Sequence, residues 1–142
     1  MERIGLLNGS NGSAGSSKRR ARILVADDEK ALADMLASQL DTAGYSSSAV
    51  YSAREGLNAL GREQYDLVIT NLTLSDMPGI QLLEAIRKQS KKVGVIIITG
   101  YATIESSSEA LQKGAQDYIS KPFTFAELER VIEKTLKRAQ NA

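Results

Sequence analysis

The segment YDLVITNLTLSDMPG, residues 65 to 79, indicates the fold class of this chain. The run DLVIT, residues 66 to 70, is apolar at consecutive positions, as expected for a strand that is buried on both faces of a parallel sheet. Asn71 follows that run and leads into a polar loop, which is where an α/β protein presents its reactive groups. An amide is uncharged and a poor nucleophile, so asparagine at this position requires an explanation.

Short apolar runs alternate with amphipathic segments on both sides of this stretch. Strands are predicted at residues 22–26, 47–51, 66–70, 93–99 and 116–120. Helices are predicted at residues 29–43, 52–63, 79–89, 103–113 and from 125 onward. Because the central strands are apolar throughout and crossovers between parallel strands are right-handed, this pattern predicts a doubly wound α/β fold with helices on both faces of the sheet.

Capping signals and residue spacing refine the predicted helices. Residues 52–55 (SARE) and 124–127 (TFAE) have the Ser/Thr-x-x-Glu form of a capping box, which begins a helix. In the first helix, spacings of three and four residues predict the stripe that faces the core. That stripe comprises Leu32, Met35, Leu36, Gln39, Leu40 and Ala43.

Composition restricts the possible functions. The chain has 142 residues, enough for one domain, and its 18 Lys and Arg residues against 17 Asp and Glu residues give a net charge of +1. That balance does not indicate a nucleic-acid or membrane partner. The absence of Cys and His excludes disulfides, thiol chemistry and the commonest metal ligand. No apolar run has the length of a membrane helix or a signal peptide, so we expect a soluble cytoplasmic protein.

The chain divides into a tail and one folded domain. Residues 1–20 are rich in Gly, Ser and Asn, so we expect a flexible tail, followed by a domain over residues 21–140. Lys18, Arg19 and Arg20 close the tail with a short basic run. We interpret this run as a solubilising linker rather than a nucleic-acid-binding arm.

Polar side chains follow the ends of four predicted strands and should converge at one edge of the sheet. They are Asp27 and Asp28 after the first strand, Asn71 after the third, Thr99 at the end of the fourth and Lys121 after the fifth. Two adjacent carboxylates could hold Mg²⁺, and a hydroxyl with an ammonium group suits phosphate oxygens. Each residue alone has a structural interpretation, such as a helix cap for the acidic pair, but their coincidence favours a functional site.

Four motifs resemble those of a known family. The segments ILVADDE, YDLVITNLTLSDMPG, VIIITGYAT and GAQDYISKPF resemble, in this order, the receiver domains of bacterial two-component response regulators, the CheY-like superfamily. The resemblance covers about residues 22–138. It implies a flavodoxin-like sheet of strand order 2-1-3-4-5 and a phosphorelay signalling module rather than an enzyme. Residues 101–123 are similar to receivers from the nitrogen-regulator class of transcriptional activators.

The resemblance also implies roles for the residues at the metal and acceptor positions. Asp27 and Asp28 correspond to the acidic pair that helps to bind Mg²⁺. Thr73 corresponds to the position whose backbone carbonyl contacts the metal. Asn71 occupies the position of the phosphoacceptor, at the end of the third strand.

Three further residues correspond to the phosphate-binding and switch positions. Thr99 matches the switch hydroxyl, Lys121 the phosphate-binding lysine and Tyr118 the aromatic residue that changes rotamer on activation. The implied partners are a sensor histidine kinase, an output domain, or a second copy of the chain bound through the fourth helix, fifth strand and fifth helix. Neither a membrane nor direct binding of nucleic acid is expected.

Asn71 departs from the family pattern, in which the phosphoacceptor is an aspartate. Phosphotransfer requires a carboxylate oxygen to attack phosphorus and form an acyl phosphate, and an amide oxygen carries little negative charge for that attack. The site also has one negative charge fewer, so we expect weakened Mg²⁺ binding with the Asn71 amide oxygen as a neutral ligand. Ser75 is a smaller departure that should loosen the loop, because receivers commonly carry proline at this position.

Several explanations of Asn71 are open. The chain is either a natural receiver with a degenerate acceptor, or a phosphorylatable receiver of a transcriptional regulator in which Asp was deliberately replaced by Asn. Phosphotransfer at Thr73, Ser75 or Asp76 is a further alternative. A nucleotide or small-molecule binder is disfavoured, because no G-x-G-x-x-G or Walker-type loop follows a strand. The last helix, in ERVIEKTLKRAQNA, could continue into the linker of a longer transcription factor.

Overall fold

The structure of the protein is a computed structural model that describes residues 21–100 and 103–141. The predicted tail at residues 1–20, with its basic run, lies outside the described residues, as do residues 101 and 102 of the motif VIIITGYAT. The strands are β1 (Arg22–Ala26), β2 (Ser46–Val50), β3 (Leu67–Asn71), β4 (Gly94–Thr99) and β5 (Asp117–Ser120). The helices are α1 (Lys30–Thr42), α2 (Ala53–Arg62), α3 (Gly79–Gln89), α4 (Ile104–Gln112) and α5 (Phe125–Asn141).

The strands form one parallel sheet in the order β2-β1-β3-β4-β5. This arrangement confirms the predicted doubly wound fold and the strand order 2-1-3-4-5. The chain winds outward in both directions from the junction of β1 and β3, and the carboxyl ends of strands on either side of such a junction border a crevice. The fold therefore concentrates the polar strand ends of the sequence at one edge of the sheet.

Helices cover both faces of the sheet, and alternate strand residues contribute to two separate apolar clusters. Ile23 and Val25 of β1 belong to the cluster that packs against α1 and α5. Leu24, between them, belongs to the cluster that packs against α2, α3 and α4. A strand whose side chains alternate between two apolar layers must be apolar at every position, which explains the uninterrupted apolar runs of the sequence.

The helix α1 shows where the predicted core stripe was wrong. Met35 is 50% exposed, whereas Ala33, Leu36 and Leu40 are buried against the sheet. The buried residues are spaced by three and four, so they lie on one side of the helix, and Met35 precedes Leu36 by about 100° of helical rotation. Gln39 is exposed for the same reason. Spacing alone allowed two overlapping stripes, and contact with the sheet selected one of them.

The two predicted capping boxes differ in the structure. In the segment that begins α5, Thr124 N–H donates to the Glu127 carboxylate at 2.8 Å and Glu127 N–H donates to Thr124 Oγ1 at 3.1 Å, so this box is complete. At α2, Ser52 Oγ accepts from Glu55 N–H, but the Glu55 carboxylate accepts from the N–H of Tyr51 at 2.7 Å. The prediction of a reciprocal box at residues 52–55 was therefore only half right.

Candidate functional site

The register of the sheet brings the polar strand ends together. Ala26 lies opposite Thr70, so the next residues along β1 and β3 are Asp27 and Asn71. Thr99 is the last residue of β4, and its carbonyl accepts a hydrogen bond from the Lys121 N–H at 2.8 Å. The edge predicted from strand ends thus exists as one continuous border of the sheet.

Asp27 is a fully buried carboxylate at this edge, with 0% of its surface exposed. Its Oδ1 accepts from Glu29 N–H at 2.9 Å, while its Oδ2 has no hydrogen-bond partner among the described residues. Burial raises the pKa of Asp27 above its ordinary value, against the opposing effects of the Glu29 hydrogen bond and the Lys121 charge. An unsatisfied buried carboxylate oxygen is costly, so this atom is suited to a cation.

Lys121 provides the positive charge nearest to that oxygen in the described structure. Its ammonium group lies 3.6 Å from Asp27 Oδ2 and 3.5 Å from the carboxylate of Glu29. The first separation is a salt bridge without a hydrogen bond, so it offsets the charge of Asp27 and leaves the oxygen unsatisfied. Lys121 is 22% exposed, which leaves its ammonium group within reach of solvent or a ligand.

The acidic run at residues 27–29 does not cap α1 in the manner that its structural interpretation required. The N-cap residue of α1 is Glu29, and its side chain makes no capping hydrogen bond. Asp28 is exposed, and the one backbone N–H in the described residues that donates to Asp27 is that of the N-cap residue itself. The structural interpretation of this acidic run is therefore weakened, because none of its carboxylates accepts a bond from the N–H groups of the first helical turn.

Asn71 is the last residue of β3 and is partly exposed. Its amide oxygen lies 3.5 Å from the N–H of Thr73, a separation at the outer limit of a hydrogen bond. The backbone beyond it is fixed, because Leu72 N–H donates to the carbonyl of Ile98 at 3.1 Å. The side chain of Asn71 thus lies at the end of the strand, beside the loop that follows it.

Gly79 allows that turn. Its N–H donates to the Leu72 carbonyl at 2.6 Å. A Cβ atom at this position would lie 2.5 Å from the Leu72 carbonyl oxygen and 2.7 Å from that of Asn71. Since both neighbours are backbone atoms of a strand end, only glycine permits the loop to close this tightly.

The loop between β3 and α3 carries the other residues predicted near the acceptor. Thr73 pairs with Pro78 in an isolated antiparallel bridge. Thr73, Ser75 and Asp76 are exposed, whereas Leu74 is buried. The two carboxylate oxygens of Asp76 accept from the backbone N–H groups of Ala53 and Arg54 at the start of α2, at 2.9 and 3.0 Å. Those bonds hold the pKa of Asp76 below its ordinary value.

The two predicted switch residues lie on neighbouring strands. Thr99 is buried at the end of β4, and Tyr118 on β5 is partly buried. The hydroxyl group of Tyr118 forms a 2.7 Å hydrogen bond with Ser106 Oγ on α4. Tyr118 is therefore held against the first turn of α4 in this conformation.

Ser106 is a residue that the sequence analysis missed. It forms a reciprocal capping box with Thr103, in which Ser106 N–H donates to Thr103 Oγ1 at 2.9 Å and Thr103 N–H donates to Ser106 Oγ at 3.0 Å. The detectable signal was a threonine followed three residues later by a serine, instead of the glutamate that defines the usual box. The bond to Tyr118 had no sequence signal, because it joins α4 to β5.

The described residues limit what the site can hold. They contain no group of three or more Asp, Glu, His or Cys side chains able to bind a metal by themselves. A divalent cation at Asp27 would therefore depend on one or two carboxylates completed by neutral oxygens and water, which is the coordination that Mg²⁺ tolerates. None of the helices in the described ranges has the length and apolar character needed to cross a membrane.

Residues 23–133 match the family described as the response regulator receiver domain. Among curated proteins, the chain is 34% identical over 126 residues to the transcriptional regulatory protein GlrR of Escherichia coli, covering 89% of the chain and 28% of GlrR. It is 32% identical over 120 residues to the transcriptional regulatory protein PcoR of Escherichia coli, covering 84% of the chain and 53% of PcoR. The chain thus spans between about a quarter and a half of the length of these relatives.

Solved structures agree with these sequence matches. A CheY-like response regulator receiver domain protein from Methanospirillum hungatei is 34% identical and superposes with a TM-score of 0.82, covering 85% of this chain and 97% of that one. NtrX from Brucella abortus, in complex with ADP, is 32% identical with a TM-score of 0.81, covering 85% of this chain and 28% of NtrX. These similarities extend over both the sheet and its helices.

Proposed function

This chain belongs to the family of response regulator receiver domains of two-component systems, and from that premise we propose that it is a receiver with a degenerate acceptor at Asn71. The receiver domain would occupy residues 21–140 and act in the cytoplasm by binding other proteins. The observation that carries the proposal is the amide of Asn71 at the carboxyl end of the central strand β3. It lies at the same level of the sheet as the buried carboxylate of Asp27, which follows the neighbouring strand β1.

The chemistry of the amide explains why the acceptor is degenerate. Phosphotransfer to a receiver forms a bond between a carboxylate oxygen and phosphorus while the donor's bond to phosphorus breaks. The amide oxygen of Asn71 has little negative charge, and its product would not be an acyl phosphate. Lys121 and Thr99 would still bind phosphate oxygens, so the site would retain its surroundings without its nucleophile.

The residues present fit Mg²⁺ at this site. Asp27 Oδ2 is buried and, within the described part of the chain, has no hydrogen-bond partner, as expected of an atom that serves as a metal ligand. Asp28, the Asn71 amide oxygen and the Thr73 carbonyl would supply the other protein oxygens. Mg²⁺ would provide positive charge for a phosphoryl group, and its affinity would be weakened because Asn71 is uncharged.

The proposed readout is protein association. Thr99 and Tyr118 would change together between two conformations of the domain. In the absence of phosphorylation, the relative populations of these conformations would shift only if a partner bound one of them more tightly than the other. A sensor kinase, an output domain or a second copy would bind through α4, β5 and α5. Two features support this surface: Ile104 on α4 is 86% exposed, and an open groove of about 370 Å³ is lined by residues of β5, of α5 and of the loop between them.

The relatives favour an output in transcription. GlrR and PcoR are named transcriptional regulatory proteins and are longer than this chain. We therefore propose that this receiver regulates such an output, with the DNA contacts made outside the described residues. The encoded residue at position 71 of the natural gene distinguishes a degenerate receiver from one in which Asp was deliberately replaced.

A phosphodonor experiment tests the degenerate acceptor. The chain is incubated with acetyl phosphate and Mg²⁺, and intact-mass spectrometry should detect no added phosphoryl group, whereas Asn71→Asp should become labelled because its surroundings are retained. The double variant Asn71→Asp with Lys121→Ala should label poorly and controls for non-specific phosphorylation. Peptide mapping of Asn71 excludes deamidation, which the bond from Leu72 N–H to Ile98 already disfavours.

Two outcomes would contradict the proposal. A stoichiometric adduct on the unaltered chain would mean phosphotransfer at another residue, and mapping would then distinguish Thr73, Ser75 and Asp76. Asp76 is the least suited of these, because both of its oxygens accept backbone hydrogen bonds. Failure of Asn71→Asp to label would mean that more than the acceptor has been lost.

A further inference from the structure

The carboxylate of Asp76 joins two segments that flank the proposed site. It belongs to the loop between β3 and α3, and it bonds the first two N–H groups of α2, which are 23 and 22 residues away in the chain. Neither bond is part of the sheet or of a helix. Asp76 therefore fixes the position of one loop relative to another element, which its own loop cannot do by local hydrogen bonds.

The N-terminus of α2 is completed by this contact. Ala53 and Arg54 N–H groups donate to Asp76, Glu55 N–H donates to Ser52 Oγ, and Gly56 N–H donates to the Ser52 carbonyl. The bond of Gly56 is the first one within the helix, and the three N–H groups before it, which have no partner within the helix, are all satisfied by side chains. Two of these three N–H groups depend on a side chain from another part of the sequence, and its negative charge also complements the helix dipole.

Two sets of contacts restrain the loop that carries Asp76. One set lies where the two ends of the loop meet, and the other is made by Asp76 itself. The hydrogen bond from Gly79 N–H to the Leu72 carbonyl and the pairing of Thr73 with Pro78 fix the base. Ser75, the residue before Asp76, lacks the restrained φ angle that a proline would give this loop. The two bonds of Asp76 provide a restraint at the adjacent residue.

We infer that Asp76 is a positioning residue, which holds the loop after β3 so that the Thr73 carbonyl faces the proposed Mg²⁺ site. We call the two hydrogen bonds from Ala53 and Arg54 N–H to Asp76 the tether. The role of the metal in this inference rests on the proposed function, whereas the tether rests on the two hydrogen bonds alone. The ionised carboxylate accepts both bonds at once, so each of its oxygens already has a backbone donor at the start of α2. Asp76 is thus inferred to position the loop and not to accept a phosphoryl group.

The test compares Asp76→Ala and Asp76→Asn with a matched control, Asp66→Ala. Asp66 also accepts a backbone hydrogen bond across the chain, from Arg22 N–H at 2.7 Å, but at the amino ends of β1 and β3. Each substitution is made in the unaltered chain and in Asn71→Asp. The two readouts are the dissociation constant of Mg²⁺ by titration calorimetry and amide hydrogen exchange at Ala53 and Gly79.

Removal of the tether should weaken Mg²⁺ binding by about tenfold in the Asn71→Asp background, because residues that orient metal ligands typically have effects of this size. Asp76→Asn keeps one acceptor oxygen and should have an intermediate effect. Asp66→Ala should change Mg²⁺ affinity by less than about twofold, because its loss of a hydrogen bond lies at the other end of the sheet. Exchange at Gly79 should accelerate only in the Asp76 variants.

Two results would overturn the inference. Equal Mg²⁺ affinities for Asp76→Ala and Asp66→Ala would show that Asp76 has no positioning role. Unchanged exchange at Gly79 in Asp76→Ala would show that the loop does not need the tether. If Asn71→Asp binds no Mg²⁺, the proposed metal site fails and the positioning of Thr73 fails with it, whereas the exchange result still decides whether the tether exists.

Discussion

The first N–H groups of α2 and α4 find their hydrogen-bond acceptors in different ways. Each helix begins with N–H groups that have no partner within the helix. At α2, the carboxylate of Asp76 arrives from a distant loop and accepts two of them. At α4, the hydroxyls of Thr103 and Ser106 satisfy the cap locally, and Ser106 then bonds outward to Tyr118 on β5.

The difference links each helix to a different part of the proposed switch. The cap of α2 is charged and depends on the loop that follows Asn71. The cap of α4 is neutral and contacts the predicted switch residue Tyr118. A change in the acceptor loop should therefore alter the stability of α2 in a pH-dependent way. A change of Tyr118 should alter the stability of α4 independently of pH.

The largest expected effect comes from Gly79→Ala, which removes the basis of the α2 cap by opening the loop. The new Cβ would lie 2.5 Å from the Leu72 carbonyl oxygen, and overpacking against backbone should lower the free energy of unfolding by about 3 kcal/mol. Urea denaturation measures this loss. Gly61→Ala is the control, because its Cβ meets nothing within 4 Å, and it should stabilise α2 by up to about 1 kcal/mol. Similar losses in the two variants would contradict the close contact at Gly79.

A smaller effect is expected from Asp76→Asn, and it should depend on pH. The pKa of Asp76 is lowered by the N–H groups of Ala53 and Arg54, so the ionised form is favoured in the folded state. Its contribution to stability should be complete above the ordinary pKa of 3.8 and should disappear as pH falls through the lowered pKa. Unfolding free energies measured from about pH 7 down to about pH 2 should therefore converge for the two proteins in acid. A constant difference over this range would exclude a role for the charge.

The smallest effect tests the α4 side of the comparison. A double-mutant cycle of Ser106→Ala and Tyr118→Phe should give a coupling energy of about 0.5 to 1 kcal/mol, because one neutral hydrogen bond is removed. That energy should be the same at pH 5 and pH 8, unlike a charged contact. Ser108→Ala, at an exposed position of the same helix, should show no coupling to Tyr118→Phe. Additive effects of Ser106→Ala and Tyr118→Phe would mean that the bond does not hold Tyr118.

The sequence predicted most of the fold, because each buried strand leaves a continuous apolar run. The same runs located Asp27, Asn71, Thr99 and Lys121, since a polar residue at the end of such a run is conspicuous. The exposure of Met35 was not predictable, because two stripes on α1 satisfy helical spacing equally well. The donor to the Glu55 carboxylate was also missed. The capping box predicted the N–H of Ser52, whereas the donor is the N–H of Tyr51, one residue earlier in the chain.

The sequence by itself determined the class of fold, the order of its elements and the amide at position 71. These follow from local apolar patterns and from residue chemistry, which are properties of neighbouring positions. The tertiary structure alone decided that Asp76 bonds α2, that Ser106 bonds Tyr118 and that Asp27 keeps one oxygen unsatisfied. Such contacts join residues far apart in the chain, and only the packing of helices against the sheet brings their side chains within hydrogen-bonding distance.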